Sequence, residues 1–368
     1  MKILLVGEFS NVHNTLAQGL RALGHKVCVA SNGDYWKDYP RDIDLSRSSR
    51  LSFTFKLVRA LLKMRDFDIV QLIGPRFIDA NGTENIRLFE YLRKHNGHVV
   101  LGAMGDDYYY SHINSTLMPM RFSDFNFGKT ARSCELASQR RDQWENTDLR
   151  TANIEIARNA DAIVAGAYEF WLPYHLTDHR SDDGNPLDSK LHYIPFPIVP
   201  EDEVGYTPGG KLRLFIGISK GRSEYKGTDI LLRAAQNLLE QYPERMELVT
   251  AEGVPYDQYR QMLDSSDVLL DQIYAYGPGM NALLAMSKGL IAVTGGEPEH
   301  YDLLDEHDCQ PIINIEPTYE SVYKRLEWLV CHPEEIAHLR QESRRYVMRN
   351  YDCMTVAKKY EKLYSSIL

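Results

Sequence analysis

The sequence predicts an α/β protein built from two doubly wound, Rossmann-like domains, and three observations carry that prediction. Short runs rich in Val, Ile and Leu alternate with amphipathic helical stretches almost from end to end. One proline- and glycine-rich stretch interrupts the alternation near the middle, and a strand-like run of the same kind as the first restarts it. At 368 residues the chain also exceeds what a single hydrophobic core usually organises. Apolar strands separated by helices imply parallel sheets covered on both faces.

In chain order, Lys2 to Val6 is predicted as a strand and Leu16 to Leu23 as a helix closed by Gly24-His25. Val27 to Ala30, Asp68 to Ile73, His98 to Leu101 and Ala162 to Ala165 continue the strand series. From Asp178 to Gly210 the texture changes. A polar, turn-rich loop containing Asp182-Asp183 is followed by YIPFPIVPEDEVGYTPGG. The second series begins at Leu212 and runs through a helix over Thr228 to Gln241, a strand at Glu247 to Thr250 and a helix over Tyr256 to Leu263. The expected organisation is a first domain over 1–195, a linker over 196–210 and a second domain over 211–345. A last helix over 346–368 is expected to pack back toward the first domain. Two such domains are expected to face a cleft, the default place for a ligand.

Composition narrows the function classes. Hydrophobic residues at 43% and charged residues at 25% fit a globular protein, and the net charge of −9 argues against nucleic acid as a partner. No apolar run approaches the roughly 20 residues that span a bilayer. The opening MKILLVGEF lacks the apolar core and cleavage site of a signal peptide and reads as a first strand; the scattered cysteines fit a reducing cytoplasm, where the protein is expected. Five scattered cysteines show no metal-ligand or disulfide spacing, and no metal and no cofactor are expected.

Two segments of the second half carry the chemistry. LFIGISKGRSEYKGTD places Lys220, Arg222 and Lys226 on a loop after a strand, just before a helix opens at Gly227-Thr228. Cations there, beside a helix N-terminus, suit a diphosphate, although a solvated basic loop is the plainer alternative. DVLLDQIYAYGPGMNALLAMSKGLIAVTGGEPE, from Asp267 to Glu299, reads as strand, glycine-containing loop, helix, strand and glycine-rich loop. Backbone amides at Gly279, Met280 and Asn281 are then placed to face an anion. Asp271 at the strand end, and Glu297 and Glu299 in the second loop, are polar candidates beside that anion position; a helix cap is the alternative for either glutamate.

In the first half, Asp106-Asp107 follows a buried strand and precedes three tyrosines. Asp107 is a candidate functional residue facing a cleft and Tyr109 an aromatic face beside it, with a local turn or cap as the alternative role for the aspartate. The loop GEFSNVHNT has Gly7 and no further glycine, which disfavours a nicotinamide enzyme; His13 from this loop is a candidate to face the cleft.

These segments resemble the glycosyltransferases of GT-B fold, family 4 in particular. Lys226-Gly227 matches the family's K-G, with Arg222 near its arginine position, and Ser266-Asp267-Val268 matches A-D-V. Gly277 and Gly279 fall on the glycines of E-G-F-G, Ala285-Met286 and Gly289 on A-M-A-x-G, and Gly295 to Glu299 on G-G-x-P-E. The first domain matches more loosely, through Gly105-Asp106-Asp107 on H-G-x-D. Three positions depart. Tyr276 replaces the glutamate that contacts the donor sugar, Leu284 the one that holds the ribose, and Met104 the histidine.

The resemblance implies a metal-independent, retaining transfer of a sugar from a nucleotide-diphosphate donor to a hydroxyl acceptor. The second domain would bind a UDP or GDP sugar, and the first a carbohydrate or lipid-linked acceptor. Arg222, Lys226, Asp271, Gly279, Met280, Asn281 and Glu299 would bind the donor, Asp107 and Glu297 would act in catalysis, and His13 and Tyr109 would meet the acceptor. The expected setting is bacterial polysaccharide or glycolipid synthesis. The replaced glutamates keep two alternatives open, a catalytically silent nucleotide-sugar-binding subunit and a nucleotide-sugar epimerase. The stretch Arg47 to Arg65 is basic with Leu57, Leu61 and Met64 at helical spacing. It reads as a Rossmann helix with a solvated face or as a peripheral contact with the inner face of a membrane.

Overall fold

The structure is a computed structural model that describes residues 1–47, 50–181 and 183–368. Residues 48, 49 and 182, and the side chains of 36 and 50–55, lie outside the described residues; part of the basic stretch and one aspartate of the Asp182-Asp183 pair fall there. The described backbone in the basic stretch forms a helix at Arg50–Leu61. Among the described residues no helix is long and apolar enough to cross a membrane.

The chain forms two compact units. The first comprises Met1–Pro119, Ser138–Pro197 and Cys353–Leu368; the second comprises Met120–Ala137 and Ile198–Asp352. From sequence, 120–137 is expected in the first domain and the returning helix is expected to begin at 346. Instead, 120–137 belongs with the second unit, and the helix that returns is Cys353–Ile367. It packs on the helix Val12–Ala22 so closely that a Cβ on Gly19 would come within 2.3 Å of the Cys353 carbonyl oxygen. His25 bonds Glu361 at 2.9 Å, fixing the end of the same helix.

Strands in the first half are β1 Lys2–Val6, β2 Lys26–Ser31, β3 Ile43–Asp44, β4 Ile69–Leu72, β5 His98–Ala103, β6 Asn126–Phe127, β7 Thr130–Ala131, β8 Ala162–Ala165 and β9 Leu191–Tyr193. The first unit's sheet is parallel in the order β3-β2-β1-β4-β5-β8-β9. Beyond exposed Lys2 at the start of β1, its central strands are buried, which is why they read as nearly continuous apolar runs, interrupted in β4 by buried Gln71. β6 and β7 form a separate antiparallel hairpin within the 120–137 segment.

The second unit contains β10 Leu212–Ile218, β11 Met246–Glu252, β12 Val268–Leu270, β13 Ile291–Thr294 and β14 Ile313–Asn314. These make a parallel sheet in the order β11-β10-β12-β13-β14. After β10 the chain adds β11 on one side and then β12 on the other, so the strand order reverses between β10 and β12. In doubly wound sheets, the crevice beyond the strand ends at this reversal is where ligands bind. In the first unit the corresponding reversal lies between β1 and β4.

Candidate functional site

At the reversal in the second unit, the loop after β10 meets the loop after β12. Gly227 adopts φ +73°, and a Cβ there would lie 2.3 Å from Cγ1 of Ile273, so only glycine lets the two loops close together. The Ile273 amide donates to the Lys226 carbonyl at 3.1 Å and locks that approach. Ser223 and Thr228 hydroxyls bond at 2.7 Å across the short helix Ser223–Lys226. The loop that carries the cations is therefore built, not slack.

Lys220 is exposed, whereas Arg222 and Lys226 are half-buried. Among the described residues none of the three has a carboxylate partner. Arg222 leaves its Nε buried without a hydrogen-bond partner. Buried donors are ordinarily satisfied, so an orphaned guanidinium nitrogen beside a lysine without a carboxylate partner is chemically suited to an anion.

Beyond β12 the helix Met280–Ser287 starts at Gly279, which has extended backbone, no side chain to cap the helix, and no acidic residue in the first turn. Its free amides and the positive end of its dipole are left for another group. The Asp271 carboxylate lies 3.7 Å from where a Cβ on Gly279 would stand. Asn281 is held by Tyr259, whose hydroxyl donates to its Oδ1 at 3.0 Å, and the Tyr259 ring covers Gly217 at the end of β10. Burial raises the Tyr259 phenol well above its usual range, so it remains a donor. Leu284, at the expected ribose position, is half-buried.

The Gly295 to Glu299 loop has different partners. Gly295 passes so close to Ala275 that any Cβ would meet its carbonyl oxygen at 1.8 Å. The carboxylate of Glu297 is buried and accepts from Arg121 at 2.6 Å and from Asn314 at 3.1 Å. Glu299 accepts from both terminal nitrogens of Arg121 at 2.6 and 3.0 Å. Burial would raise the Glu299 pKa, but the Arg121 hydrogen bonds outweigh it and hold the group below its ordinary value. The Glu297 side chain does not cap the following helix, Pro298–Leu304. Tyr276 is buried beside them; its hydroxyl accepts the Arg121 backbone N–H at 2.7 Å, and desolvation pushes its pKa up to about 12.

In the first unit, His13 is buried. Its Nδ1 bonds the Gly7 carbonyl at 2.8 Å, its Nε2 has no partner, and burial lowers its pKa to about 4. Asp107 caps the helix Tyr108–Thr116: Oδ1 accepts from the Tyr110 amide at 2.8 Å, and Oδ2 accepts from the Tyr174 hydroxyl at 2.7 Å. Desolvation raises its pKa to about 7. Tyr109 stands beside it, ring to ring with Tyr174 at 4.4 Å, and its hydroxyl bonds His179 at 3.0 Å. Tyr109, His112 and His179 contribute to the lining of a cavity of about 340 Å³, with Leu117 and Leu176 exposed. Asp107 and Tyr109 are thus brought together, while His13 sits on the separate loop after β1.

The chain matches no protein-family model, and no curated protein resembles it in sequence. Solved structures do resemble it. HepE of Anabaena, crystallised with UDP and glucose, matches with a TM-score of 0.61 at 12% identity over 100% of both chains. Sucrose-phosphate synthase from Thermosynechococcus elongatus matches at 0.63 and 13% identity, over 100% of this chain and 99% of that one. The fold is GT-B. A third GT-B structure, S. aureus TarM in complex with UDP and α-GlcNAc-glycerol, matches at 0.55 and 12% identity, covering 84% of this chain and 58% of that one.

Within this GT-B chain, sequence patterning missed Arg121, Arg132 and Tyr259. The first two lie on the hairpin segment, whose only local signal is N-F-G-K-T between β-prone residues. Gly128 there takes φ +58°, as a hairpin turn requires. Tyr259 sits in a helix whose polar pattern gave no reason to single it out.

Proposed function

We propose that the protein is a glycosyltransferase that moves a sugar from a nucleotide-diphosphate sugar to a hydroxyl acceptor. One observation carries this: Arg222 and Lys226, without carboxylate partners among the described residues, stand at the sheet reversal where an uncapped helix N-terminus also opens. Fixed cations and amides of this kind stabilise a departing diphosphate by preorganised electrostatics. The charge they supply supports a transfer that needs no metal. Retention of configuration follows if the departing phosphate oxygen takes the acceptor proton, so that no separate base is required. Lys226, Arg222 and the amides of Gly279 to Asn281 would hold the diphosphate, and Asp271 and Asn281 lie close enough to read hydroxyls. Glu297 and Glu299 would act near the sugar, and the first unit would take the acceptor, with Tyr109 and the cavity beside it as its contact. The neighbours' UDP complexes favour UDP as the first donor nucleotide to test.

The test is calorimetric titration of the full chain with UDP, GDP and dTDP, followed by nucleotide release from their sugars in the presence of extract acceptors. Binding and release together support the transferase, and release should persist in chelator. A second reading, a silent nucleotide-sugar-binding subunit, is favoured by Asp107 spending both oxygens on a helix cap and on Tyr174. Tight nucleotide binding with no release across the panel would select it.

A further inference from the structure

The segment 120–137 departs from the first domain expected from sequence and belongs to the second unit, where two arginines fasten it to both ligand loops. Arg132 donates to the Glu224 and Tyr225 carbonyls at 2.7 and 3.1 Å, on the cationic loop, and its guanidinium lies 3.3 Å from the centre of the Tyr274 ring. The same side chain also donates to the Asp124 carbonyl of its own segment at 3.1 Å, so it ties the hairpin to itself as well as to the loop. Asn126, fully buried, donates to the Met120 and Gly128 carbonyls at 2.9 Å each and keeps the hairpin in shape. At the other end Arg121 binds Glu297 and Glu299, its guanidinium sits 5.2 Å from the Tyr276 ring centre, and Phe122 packs on that ring at 5.1 Å. Tyr276 stands where the resembling family has its sugar-contacting glutamate, and Arg121 is the group that engages it.

We infer that Arg121 is a specificity-determining residue, and that Arg121, Glu297 and Glu299 together select a donor whose sugar is uncharged or amino-substituted over one that carries a carboxylate. This rests on the nucleotide-sugar site proposed above. One guanidinium and two carboxylates leave the cluster with a net charge of −1. The Arg121 side chain keeps 54% of its surface exposed and Glu299 keeps 33%, so the cluster can meet a ligand. Arg121 uses only its two terminal nitrogens on the glutamates, which leaves donors for sugar hydroxyls. A uronate would bring a further negative charge within a few ångströms of two carboxylates that already outweigh the arginine's single positive charge, and like charges at that range disfavour binding.

The experiment uses matched donors that differ only at the sugar carboxylate: UDP-glucose with UDP-glucuronate, and GDP-mannose with GDP-mannuronate. Each is titrated calorimetrically into the full chain alongside UDP and GDP. The wild-type protein should bind the neutral-sugar member at least tenfold more tightly. Glu299→Gln removes one charge on a partly exposed side chain and should narrow that ratio at least threefold. Arg121→Ala leaves two uncompensated carboxylates and should widen the ratio while weakening the neutral donor several-fold. Affinity for UDP or GDP alone should stay within twofold in both variants, a separation that mere loss of folding would not produce. Equal affinity for the two members of a pair, tighter binding of the uronate, or a ratio unmoved by Glu299→Gln would overturn the inference alone. Failure of the wild-type chain to bind any nucleotide would instead overturn the site on which it rests.

Discussion

The two α/β units reach their strand-order reversals by the same construction and finish them in opposite ways. In the first, the loop after β1 folds Glu8 back over the helix Val12–Ala22. Its carboxylate accepts the amides of Phe9 and His13 at 2.8 and 3.2 Å and of Asn14 at 2.8 Å. The anion position at that helix N-terminus is filled by the protein's own side chain. Gly7 closes the remaining space, since a Cβ there would stand 2.4 Å from Ile73 and 2.8 Å from the Phe77 carbonyl oxygen. In the second unit the helix after β12, Met280–Ser287, has neither cap nor first-turn acid, and nearby cations lack carboxylate partners among the described residues; the helix after β10, Thr228–Gln241, also has no side-chain cap, with Asp229 in its first turn. One reversal is filled by the protein's own side chain; the other, on the function proposed above, would be completed by a ligand.

The widest gap between the units should open on removing a cation. Lys226→Ala should weaken nucleotide binding about a hundredfold, the scale of a charge-assisted contact of roughly 2–3 kcal/mol. Glu8→Gln should leave nucleotide affinity unchanged. Calorimetric titration with UDP and GDP reads both. If Lys226→Ala binds as the parent does, the second reversal is not a phosphate site and the contrast collapses.

Next in size is a pair of glycine substitutions. Gly7→Ala forces a Cβ into contact with Ile73 and the Phe77 backbone at a φ of +86°, and should destabilise the protein by roughly 2–4 kcal/mol. Gly279→Ala meets nothing nearer than 3.4 Å at an ordinary φ of −78°, and should cost less than about 1 kcal/mol. Yet the added methyl narrows the approach to the helix amides, and nucleotide affinity should fall about tenfold. Thermal unfolding and calorimetry together sort the two positions. A stability loss at Gly279 equal to that at Gly7 would mean that both loops serve packing alone.

The contrast also explains what could be read from sequence. The β1 and β8 strands lie where their buried apolar runs predict, because burial on both sheet faces imposes a nearly continuous pattern, and the helix Thr228–Gln241 spans the predicted residues because its one buried face imposes helical spacing. The backbone part of the second reversal was equally legible, since Gly227 and Gly295 are fixed by close approach and no other residue fits. What escaped was long-range pairing. Nothing local in Arg121 announces that it binds Glu297 and Glu299, well over a hundred residues later, and nothing in 120–137 announces that the segment joins the second unit. Glu8 escaped for the opposite reason: a carboxylate that satisfies its own loop looks, in sequence, the same as one that waits for a ligand.

The smallest effect is one of pH, and it tests whether Glu8 truly stands in for an anion. Desolvation raises its pKa from 4.5 to about 7, against the three amide hydrogen bonds and aided by Asp34. A raised folded-state value means that between pH 4.5 and 7 the folded protein holds a proton the unfolded chain has released. The stabilisation is therefore complete below about pH 4.5 and lost as pH climbs through 7. Asp107, raised from 3.8 to about 7, acts in the same direction, whereas buried His13, lowered to about 4, costs stability as pH falls below 6.5. A single melting curve mixes these terms, so the informative quantity is the difference between Glu8→Gln and the parent. Glutamine keeps an amide oxygen for the helix N–H groups and carries no charge, so the variant should gain on the parent by a degree or more in Tm from pH 5 to pH 8. A difference that stays flat across that range would show that the Glu8 carboxylate is comfortably ionised at the helix N-terminus. The first reversal would then be an anion site in its own right, occupied from within, and the two units would differ only in whose anion they hold.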